Sequence, residues 1–326
     1  MKDSYGREIN YMRLSITDKC NYRCKYCMPE EGIPDLGHDQ ILRYEELEAI
    51  VKASVELGIH KFRLTGGEPL VRKGIVNFVK RLKSIPGVTE LTMTTNGALL
   101  GDLAKPLKDA GLDRLNISLD SLNPARFREI TRCGDLKDVL EGIEAATKAG
   151  FSTIKLNVVT MKGFNDDEIM DFVHLTSEMP FEVRFIELMP FNANKDIDYG
   201  YISSEEIIGK IPGLIAVEES ISDSGVAQLY SYPDSIGYIG FISPLSHCFC
   251  PDCNKIRITS DGKLKTCLHS NNEHDLKPYL IESSDGGFDI DGLRKSIEKA
   301  IMTKEECHHL EPGKATVNRN MNKIGG

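Results

Sequence analysis

Residues 11–27, which read YMRLSITDKCNYRCKYC, decide the fold of this chain. The run 11–16 is apolar and rich in β-forming residues, so it predicts a first strand. A short polar turn follows, and then three cysteines, Cys20, Cys24 and Cys27, lie within eight residues. Thiols placed this closely just after a strand predict a metal or redox site at the end of that strand.

The same order of strand and helix continues to about residue 190. Predicted strands cover 11–16, 61–65, 91–94, 114–119, 153–159 and 182–187, and predicted helices cover 44–57, 75–82, 102–110, 136–149 and 166–178. Three of the helices end at a glycine, Gly58, Gly111 or Gly150, as left-handed C-caps favour. This order predicts an α/β fold with a parallel sheet, either an incomplete barrel or a doubly wound sheet.

Polar loops follow five of the predicted strands, and one of them is Thr65-Gly66-Gly67-Glu68-Pro69. Any single loop is explained as an ordinary turn. In parallel α/β folds, however, ligands gather at the carboxyl ends of the strands. Five such loops on one predicted rim therefore indicate a ligand site there.

Composition restricts the possible classes of function. The 326 residues suffice for one barrel-sized domain with an appendage or for two modest domains. No apolar run approaches the roughly 18 residues that cross a bilayer, and residues 1–20 lack a signal-peptide core, so we expect a cytoplasmic protein without membrane contact. The net charge of 40 − 49 = −9 argues against nucleic-acid binding. An anionic substrate would need a local cluster of Arg and Lys.

Nine cysteines in a chain without an export signal favour metal or redox chemistry over structural disulfides. For the first triad, one interpretation is a zinc knuckle that lacks its fourth ligand, with His38 as the nearest candidate. The other is a four-iron cluster with one open iron, since three thiolates suit such a cluster.

A second triad, Cys250-x2-Cys253-x13-Cys267, lies more than two hundred residues further on. It fits a zinc ribbon completed by Cys248, His247 or His269, or a second open four-iron cluster with Cys248 as a bystander. Between its ligands, Lys255 and Arg257 share one face if this run is a strand. The remaining candidates are interpreted as ordinary thiols or surface residues: Cys133, Cys307, His308 and His309.

The CxxxCxxC spacing together with the loop 66–69 resembles the radical S-adenosylmethionine (SAM) superfamily. This resemblance implies an incomplete (βα)6 TIM-like barrel with a C-terminal extension that carries a second iron–sulfur cluster. It also implies two 4Fe–4S clusters and SAM as cofactors, with a 5′-deoxyadenosyl radical that abstracts hydrogen. The implied SAM contacts are Tyr26, Gly67, Ser118 and Met189.

Across nearly its whole length, the chain resembles the molybdenum cofactor biosynthesis protein A family, the GTP 3′,8-cyclases. The motifs are RLSITD at 13–18, FISPLS at 241–246, DGKLKTCL at 261–268 and IGG at 324–326. The resemblance implies removal of the ribose 3′ hydrogen of GTP and formation of a C3′–C8 bond. The product, 3′,8-cyclo-7,8-dihydro-GTP, is formed in the first step of molybdenum cofactor biosynthesis. We expect a barrel over 1–235 and an auxiliary-cluster region over 236–326.

The resemblance also assigns site residues and partners. It implies GTP contacts at Arg13, Arg63, Thr94, Lys155, Lys255 and Arg257, and a catalytic tail formed by Gly325 and Gly326. Lys255 stands where relatives often carry arginine, so a bidentate phosphate contact is lost there. The expected partners are cyclic pyranopterin monophosphate synthase, which takes the product, an external electron donor and a second copy of the chain. The rival interpretations are a peptide-modifying radical SAM maturase and a non-enzymatic iron–sulfur or zinc protein.

Overall fold

The computed structural model describes residues 1–326 except 33–36, 38, 39, 192–197, 218–225, 283, 285, 309, 311–316, 318 and 326. Three sequence candidates, His38, His309 and Gly326, therefore lie outside the described residues. The strands are β1 (Tyr11–Ser15), β2 (Lys61–Thr65), β3 (Glu90–Thr95), β4 (Arg114–Ser118), β5 (Ile154–Thr160), β6 (Glu182–Glu187), β7 (Ile215–Ala216), β8 (Gln228–Ser231), β9 (Tyr238–Ile242), β10 (Lys255–Ile258), β11 (Lys263–Lys265) and β12 (His274–Asp275).

Helices flank this sheet. They are α1 (Tyr44–Glu56), α2 (Ile75–Lys83), α3 (Leu100–Asp109), α4 (Pro124–Thr131), α5 (Leu136–Lys148), α6 (Ile169–Glu178), α7 (Ser204–Gly209), α8 (Ile290–Met302) and α9 (Met321–Ile324). Within the described ranges, no helix combines the length and the apolar character that a membrane crossing needs.

All twelve strands form one sheet in the order β12-β11-β10-β1-β2-β3-β4-β5-β6-β9-β8-β7. The strands from β10 through β1–β6 to β9 are parallel, and antiparallel strands extend both edges. Because β1 to β6 follow one another without a reversal of order, the sheet is singly wound. The incomplete barrel is confirmed, and the doubly wound alternative is wrong.

The six strands predicted for the barrel agree with the observed ones to within one residue at each end. Gly58, Gly111 and Gly150 have the positive φ expected after a helix. The short helix α4 was missed, although Asn123 caps it by accepting from the backbone of Ala125 and Arg126, and a proline opens it. That pair of start signals is present in the sequence.

Alternation along each parallel strand separates an apolar outer face from a polar inner face. In β1, Met12 and Leu14 are fully buried in the core beneath the helices, while Arg13 lies on the opposite face of the strand. In β2, Leu64 belongs to the same core, while Arg63 lines the interior. Successive side chains of a strand point to opposite faces, so one repeating pattern builds both the core and a polar lumen.

Helices α3 and α5 pack closely at Gly142. A Cβ atom at this position would lie 2.2 Å from the carbonyl oxygen of Gly97 and 3.1 Å from the Cβ of Leu100. A Cβ atom added at Gly101, in α3, would meet no atom within 4 Å beyond its chain neighbours and its own helix backbone. The pair therefore separates the effect of packing from the effect of helix propensity.

We expect Gly142→Ala to destabilise the chain by about 1–3 kcal/mol, because overpacking against a backbone outweighs the gain in helix propensity. Gly101→Ala is the matched control and should be neutral or stabilising by up to about 1 kcal/mol. Thermal melting of the cofactor-free chain measures both. A Gly142→Ala variant that melts at or above the parent would contradict the close packing.

Candidate active site

A cavity of about 300 Å³ lies inside the partial barrel and is bordered by both cysteine triads. Residues 20–27 and 250–267, far apart in sequence, thus contribute to one site. The sequence-predicted residues that line it are Arg13, Cys20, Cys24, Tyr26, Cys27, Arg63, Gly67, Thr94, Ser118, Met189, Cys250, Cys253, Lys255, Arg257 and Cys267.

The first cysteine loop is held in place by α4. The backbone amides of Arg23 and Lys25 donate to the carbonyls of Thr131 and Ile130 at 3.0 and 2.9 Å. The Arg132 guanidinium donates to the carbonyl of Arg23 at 2.8 Å. The helix missed in the sequence therefore fixes the shape of the loop that carries the first triad.

The three thiols of this loop fit a cationic iron cluster. Burial raises the pKa of Cys20 to about 11 and that of Cys27 to about 12, and burial together with the neighbouring thiols raises the pKa of Cys24 well above its ordinary value. Three buried thiolates would repel one another, so a metal that neutralises them is needed for ionisation. Three thiolates on one short loop are a suitable donor set for a 4Fe–4S cluster.

The glycine loop after β2 packs directly on this cysteine loop. The amide of Gly67 donates to the Thr17 carbonyl, and the amide of Glu68 to the Lys19 carbonyl, both at 2.8 Å. A Cβ atom on Gly67 would lie 2.3 Å from the Lys19 carbonyl oxygen. Glycine is therefore required at position 67 because the neighbouring backbone occupies the space that a side chain would need.

Tyr26 is oriented by a buried carboxylate. Its hydroxyl donates to Oδ2 of Asp120 at 2.7 Å, and Oδ1 of Asp120 accepts from the amide of Val159 at 2.9 Å. Burial raises the pKa of Asp120 to about 6, although these two hydrogen bonds favour the ionised form. Asp120 and Ser118 line the same cavity, so both Tyr26 and Ser118 border the space beside the first triad.

Three arginines lie side by side across β2, β1 and β10. The strand register pairs Arg13 with Arg63 on one side and with Arg257 on the other. Neighbouring strands are about 4.8 Å apart, so the three guanidinium groups share one small region. Burial, followed by Arg257 and Arg63, lowers the pKa of Arg13, and burial lowers that of Arg257 to about 10. This arginine row favours a polyanion.

The ring of Tyr11 packs against Arg63 of this row and against Lys255. The ring lies 5.4 Å from the Arg63 guanidinium and 5.5 Å from the Lys255 ammonium. Lys255 opens β10, so the expected strand is confirmed and Lys255 and Arg257 share its inner face. Cations over an aromatic face are stabilised electrostatically, which keeps two positive side chains close in the absence of a ligand.

Several buried polar atoms of the residues described around the cavity lack a hydrogen-bond partner. Among the described residues, Oγ1 of Thr94, Oδ1 of Asn157 and Nη2 of Arg184 are buried without a hydrogen bond, and all three residues line the cavity. Buried polar groups are normally satisfied, so these atoms indicate a polar ligand. Asn157 and Arg184 were missed in the sequence, although both occupy inward positions of strands that the pattern predicted.

Lys155, which the resemblance assigns to GTP, does not line the cavity. Its ammonium forms a buried ion pair with Glu182 at 2.8 Å, and the same carboxylate accepts from Arg184 Nε at 2.5 Å. Burial, and then the charge of Arg184, lowers the pKa of Lys155 to about 8. Lys155 thus adjoins the cavity through Glu182 and Arg184.

Cys253, in the second triad, lies in a cationic environment. Burial acts to raise the pKa of Cys253, but Lys304, Lys255 and Arg257 outweigh it and hold the pKa below its ordinary value. Cys307, which stands alone in the sequence, lies 3.1 Å from Cys248 in the structure. Cys307 is thus close to the second cysteine group in space, although it is far from that group in sequence.

The C-terminal tail reaches the cavity. Asn322 donates to the carbonyl of Asp18 at 3.0 Å, and the carbonyl of Gly325 accepts from Nη1 of Arg257 at 2.7 Å. A Cβ atom on Gly325 would lie 2.3 Å from Oγ1 of Thr65. Glycine at this position is explained by close approach of the tail to β2.

Comparison with known proteins agrees with this geometry. A profile of the Radical SAM superfamily matches residues 14–176, and one described as Molybdenum Cofactor Synthesis C matches residues 181–310. The chain is 49% identical to the GTP 3′,8-cyclase from Alkaliphilus metalliredigens (strain QYMF) and 45% identical to the one from Moorella thermoacetica (strain ATCC 39073 / JCM 9320). Each alignment covers 100% of both chains. This chain belongs to the GTP 3′,8-cyclase family.

A solved structure resembles this GTP 3′,8-cyclase family member in fold. Streptococcus suis SuiB, crystallised with S-adenosylmethionine, superposes with a TM-score of 0.63 at 14% identity, covering 89% of this chain and 68% of SuiB. At that identity the likeness shows the fold alone, and it confirms the radical SAM type of partial barrel. The family's cofactors are two 4Fe–4S clusters and SAM, and the two cysteine triads match that requirement.

We expect Gly67→Ala to weaken SAM binding by this cyclase-family chain at least tenfold. The added methyl group must displace the Lys19 carbonyl and with it the first cysteine loop. Equilibrium dialysis of SAM against the reconstituted, oxygen-free protein measures the effect. Gly209→Ala, where the added atom meets open space, is the control. Unchanged SAM affinity in Gly67→Ala would refute this packing argument.

Proposed function

We propose that this chain converts GTP to 3′,8-cyclo-7,8-dihydro-GTP in the first step of molybdenum cofactor biosynthesis. The observation that carries the proposal is that both cysteine triads and the arginine row border one cavity. Full-length similarity to GTP 3′,8-cyclases supports the same substrate. A peptide-modifying maturase shares the fold but gives no reason for a buried row of arginines.

The first triad and the loops around it would hold the radical-forming cofactors. Cys20, Cys24 and Cys27 would ligate the first cluster, and the proposed SAM contacts are Tyr26, Gly67, Ser118 and Met189. When bound, the cluster and SAM supply the one-electron chemistry that removes a hydrogen atom from the substrate. The chain's own contribution is to position these groups, and the hydrogen bond from Tyr26 to Asp120 fixes the orientation of Tyr26 for this purpose.

The arginine row would hold the triphosphate of GTP. Arg13, Arg63 and Arg257 present adjacent guanidinium groups, which are well suited to bidentate binding of phosphate. Arg184 and Thr94 have unsatisfied atoms nearby and would take further polar contacts. Lys155 is buried against Glu182 outside the cavity lining, so a direct contact with GTP would require this side chain to move.

The second triad and the tail would position the purine and close the cavity. Cys250, Cys253 and Cys267 would hold a second cluster, which would provide a binding site for the base at this side of the cavity. Lys255 would make a single phosphate contact, because an ammonium lacks the fork of an arginine. Gly325 and Gly326 would act in catalysis from the tail, and the hydrogen bond from Arg257 to Gly325 supports this position.

Partners and organisation complete the proposal. The product would pass to cyclic pyranopterin monophosphate synthase, an external donor would reduce the clusters, and two copies of the chain would form a dimer. We place the activity in the cytoplasm, where a reducing environment protects thiolate ligands. The division into a barrel, residues 1–235, and an auxiliary-cluster region, residues 236–326, stays a prediction, since β8 and β9 pair across it.

The assignment is tested by anaerobic incubation with GTP, SAM and dithionite, followed by mass analysis of the nucleotide. Cys24→Ala should abolish both formation of 5′-deoxyadenosine and cyclisation, because the first cluster loses a ligand. Cys133→Ser, at an exposed thiol outside the cavity, is the control and should retain both. Recovery of unmodified GTP from a parent protein that forms 5′-deoxyadenosine from SAM would overturn the proposed function.

Cys267→Ala should separate the roles of the two triads. We expect this variant to retain some SAM cleavage and to lose GTP cyclisation, because only the substrate side of the cavity is altered. Both products can be quantified in the same reaction by liquid chromatography. Unchanged cyclisation would remove the second cluster from substrate binding.

Arg63→Met tests where the triphosphate lies. Loss of a charge-assisted contact, at about 1.5–3 kcal/mol, should weaken GTP binding by about 10- to 100-fold. The penalty should shrink for GMP, which carries fewer phosphates. Nucleotide affinity measured by calorimetry on the reconstituted protein checks both, with the surface variant Arg81→Met as control. Equal penalties for GTP and GMP would exclude contact with the β- and γ-phosphates and place Arg63 on the α-phosphate, the sugar or the base.

A further inference from the structure

Two thiols outside the proposed cluster ligands face each other beside Cys250, which lines the cavity. The Sγ atoms of Cys248 and Cys307 are 3.1 Å apart, although the residues are 59 positions apart in sequence. Cys248 is exposed and Cys307 is half-buried, so an external reagent can reach the pair. A disulfide bond is about 2.0 Å long, so a shift of about 1 Å would close it. We propose that Cys248 and Cys307 form a reversible disulfide.

A buried arginine holds the two segments that carry these thiols together. Nη1 of Arg7 donates to the carbonyl of Cys250 at 3.0 Å and to that of Glu306 at 2.9 Å. Asp3 fixes Arg7 through a buried ion pair at 2.6 Å. The amide of His308 also donates to Sγ of Cys250 at 3.4 Å. The proximity of Cys248 and Cys307 is therefore built into the fold.

The thiol of Cys250 lies close to this pair and could compete for disulfide formation. Sγ of Cys250 lies within 4.8 Å of the sulfur atoms of both Cys248 and Cys307. Three disulfides are possible among three thiols, and two of them consume Cys250. Pairing of Cys248 with Cys307 leaves Cys250 free to bind iron. This protective role rests on the proposed function of Cys250 as a cluster ligand, whereas the disulfide itself does not.

The reaction is an exchange with a small external disulfide such as glutathione disulfide. The Cys248 thiolate attacks one sulfur atom and releases one glutathione thiol, which leaves a mixed disulfide on the protein. The Cys307 thiolate then attacks the Cys248 sulfur and releases the second glutathione. Two protein thiols are oxidised to one disulfide, and one glutathione disulfide is reduced to two thiols.

The test treats the reconstituted, oxygen-free holoenzyme with glutathione disulfide, blocks the remaining thiols by alkylation and maps the peptides by mass spectrometry. We expect one cross-linked peptide that joins Cys248 to Cys307, lighter by two hydrogen atoms and restored by dithiothreitol. Iron content should not change. Glutathione adducts without a cross-link, or a cross-link that includes Cys250, would overturn the proposal.

Variants test the protective role. In Cys307→Ser, oxidation should redirect Cys248 to Cys250, and about four of eight irons should be released. Cys133→Ser is the matched control and should behave as the parent. Full retention of iron in oxidised Cys307→Ser would overturn protection of Cys250.

The cluster-free chain separates this proposal from the proposed function. A Cys248–Cys307 cross-link there, together with a reconstituted holoenzyme that leaves GTP unmodified, would support the disulfide and reject only the proposed function. Its absence there would overturn the disulfide whatever the activity of the holoenzyme.

Discussion

The parallel pairing of β10 with β1 is the interaction on which the site depends. It joins a strand from the C-terminal part of the chain to the first strand of the barrel over four residue pairs, and its register sets Arg257 beside Arg13. The second triad flanks β10, and the first triad follows β1. One strand pairing therefore brings both cysteine groups to a single cavity, and a shift of one residue would turn Arg257 away from it.

This cavity holds a row of side chains with like charge and a group of thiols whose ionisation is opposed by burial. Three guanidinium groups lie side by side on β2, β1 and β10, and three thiols lie together on the loop after β1. Like-charge neighbours destabilise a sheet, and desolvation disfavours ionisation. A polyphosphate and an iron cluster relieve these two strains, so binding of either should stabilise the folded chain.

The barrel could be predicted from sequence because its signals are local. Alternating residues mark each strand, glycines end the helices, and the spacing of Cys20, Cys24 and Cys27 specifies a ligand set. The contacts that the sequence did not predict are those between distant segments. No local pattern places Cys307 beside Cys248 or makes Glu182 the partner of both Lys155 and Arg184. Helix α4 is different, because the capping residue Asn123 and the proline that begins the helix are local signals in the sequence.

The overall charge of −9 and the cationic lumen together determine which anions can bind. Long nucleic acids need an extended basic surface, which an acidic chain disfavours. A small polyanion can enter an enclosed cavity, where the lower dielectric strengthens each contact with arginine. Enclosure also favours ligands that satisfy the buried polar atoms of Thr94, Asn157 and Arg184, since inorganic phosphates alone leave some of them without a partner. The overall negative charge therefore selects against nucleic acid, and the positive charges of the lumen favour a nucleoside triphosphate.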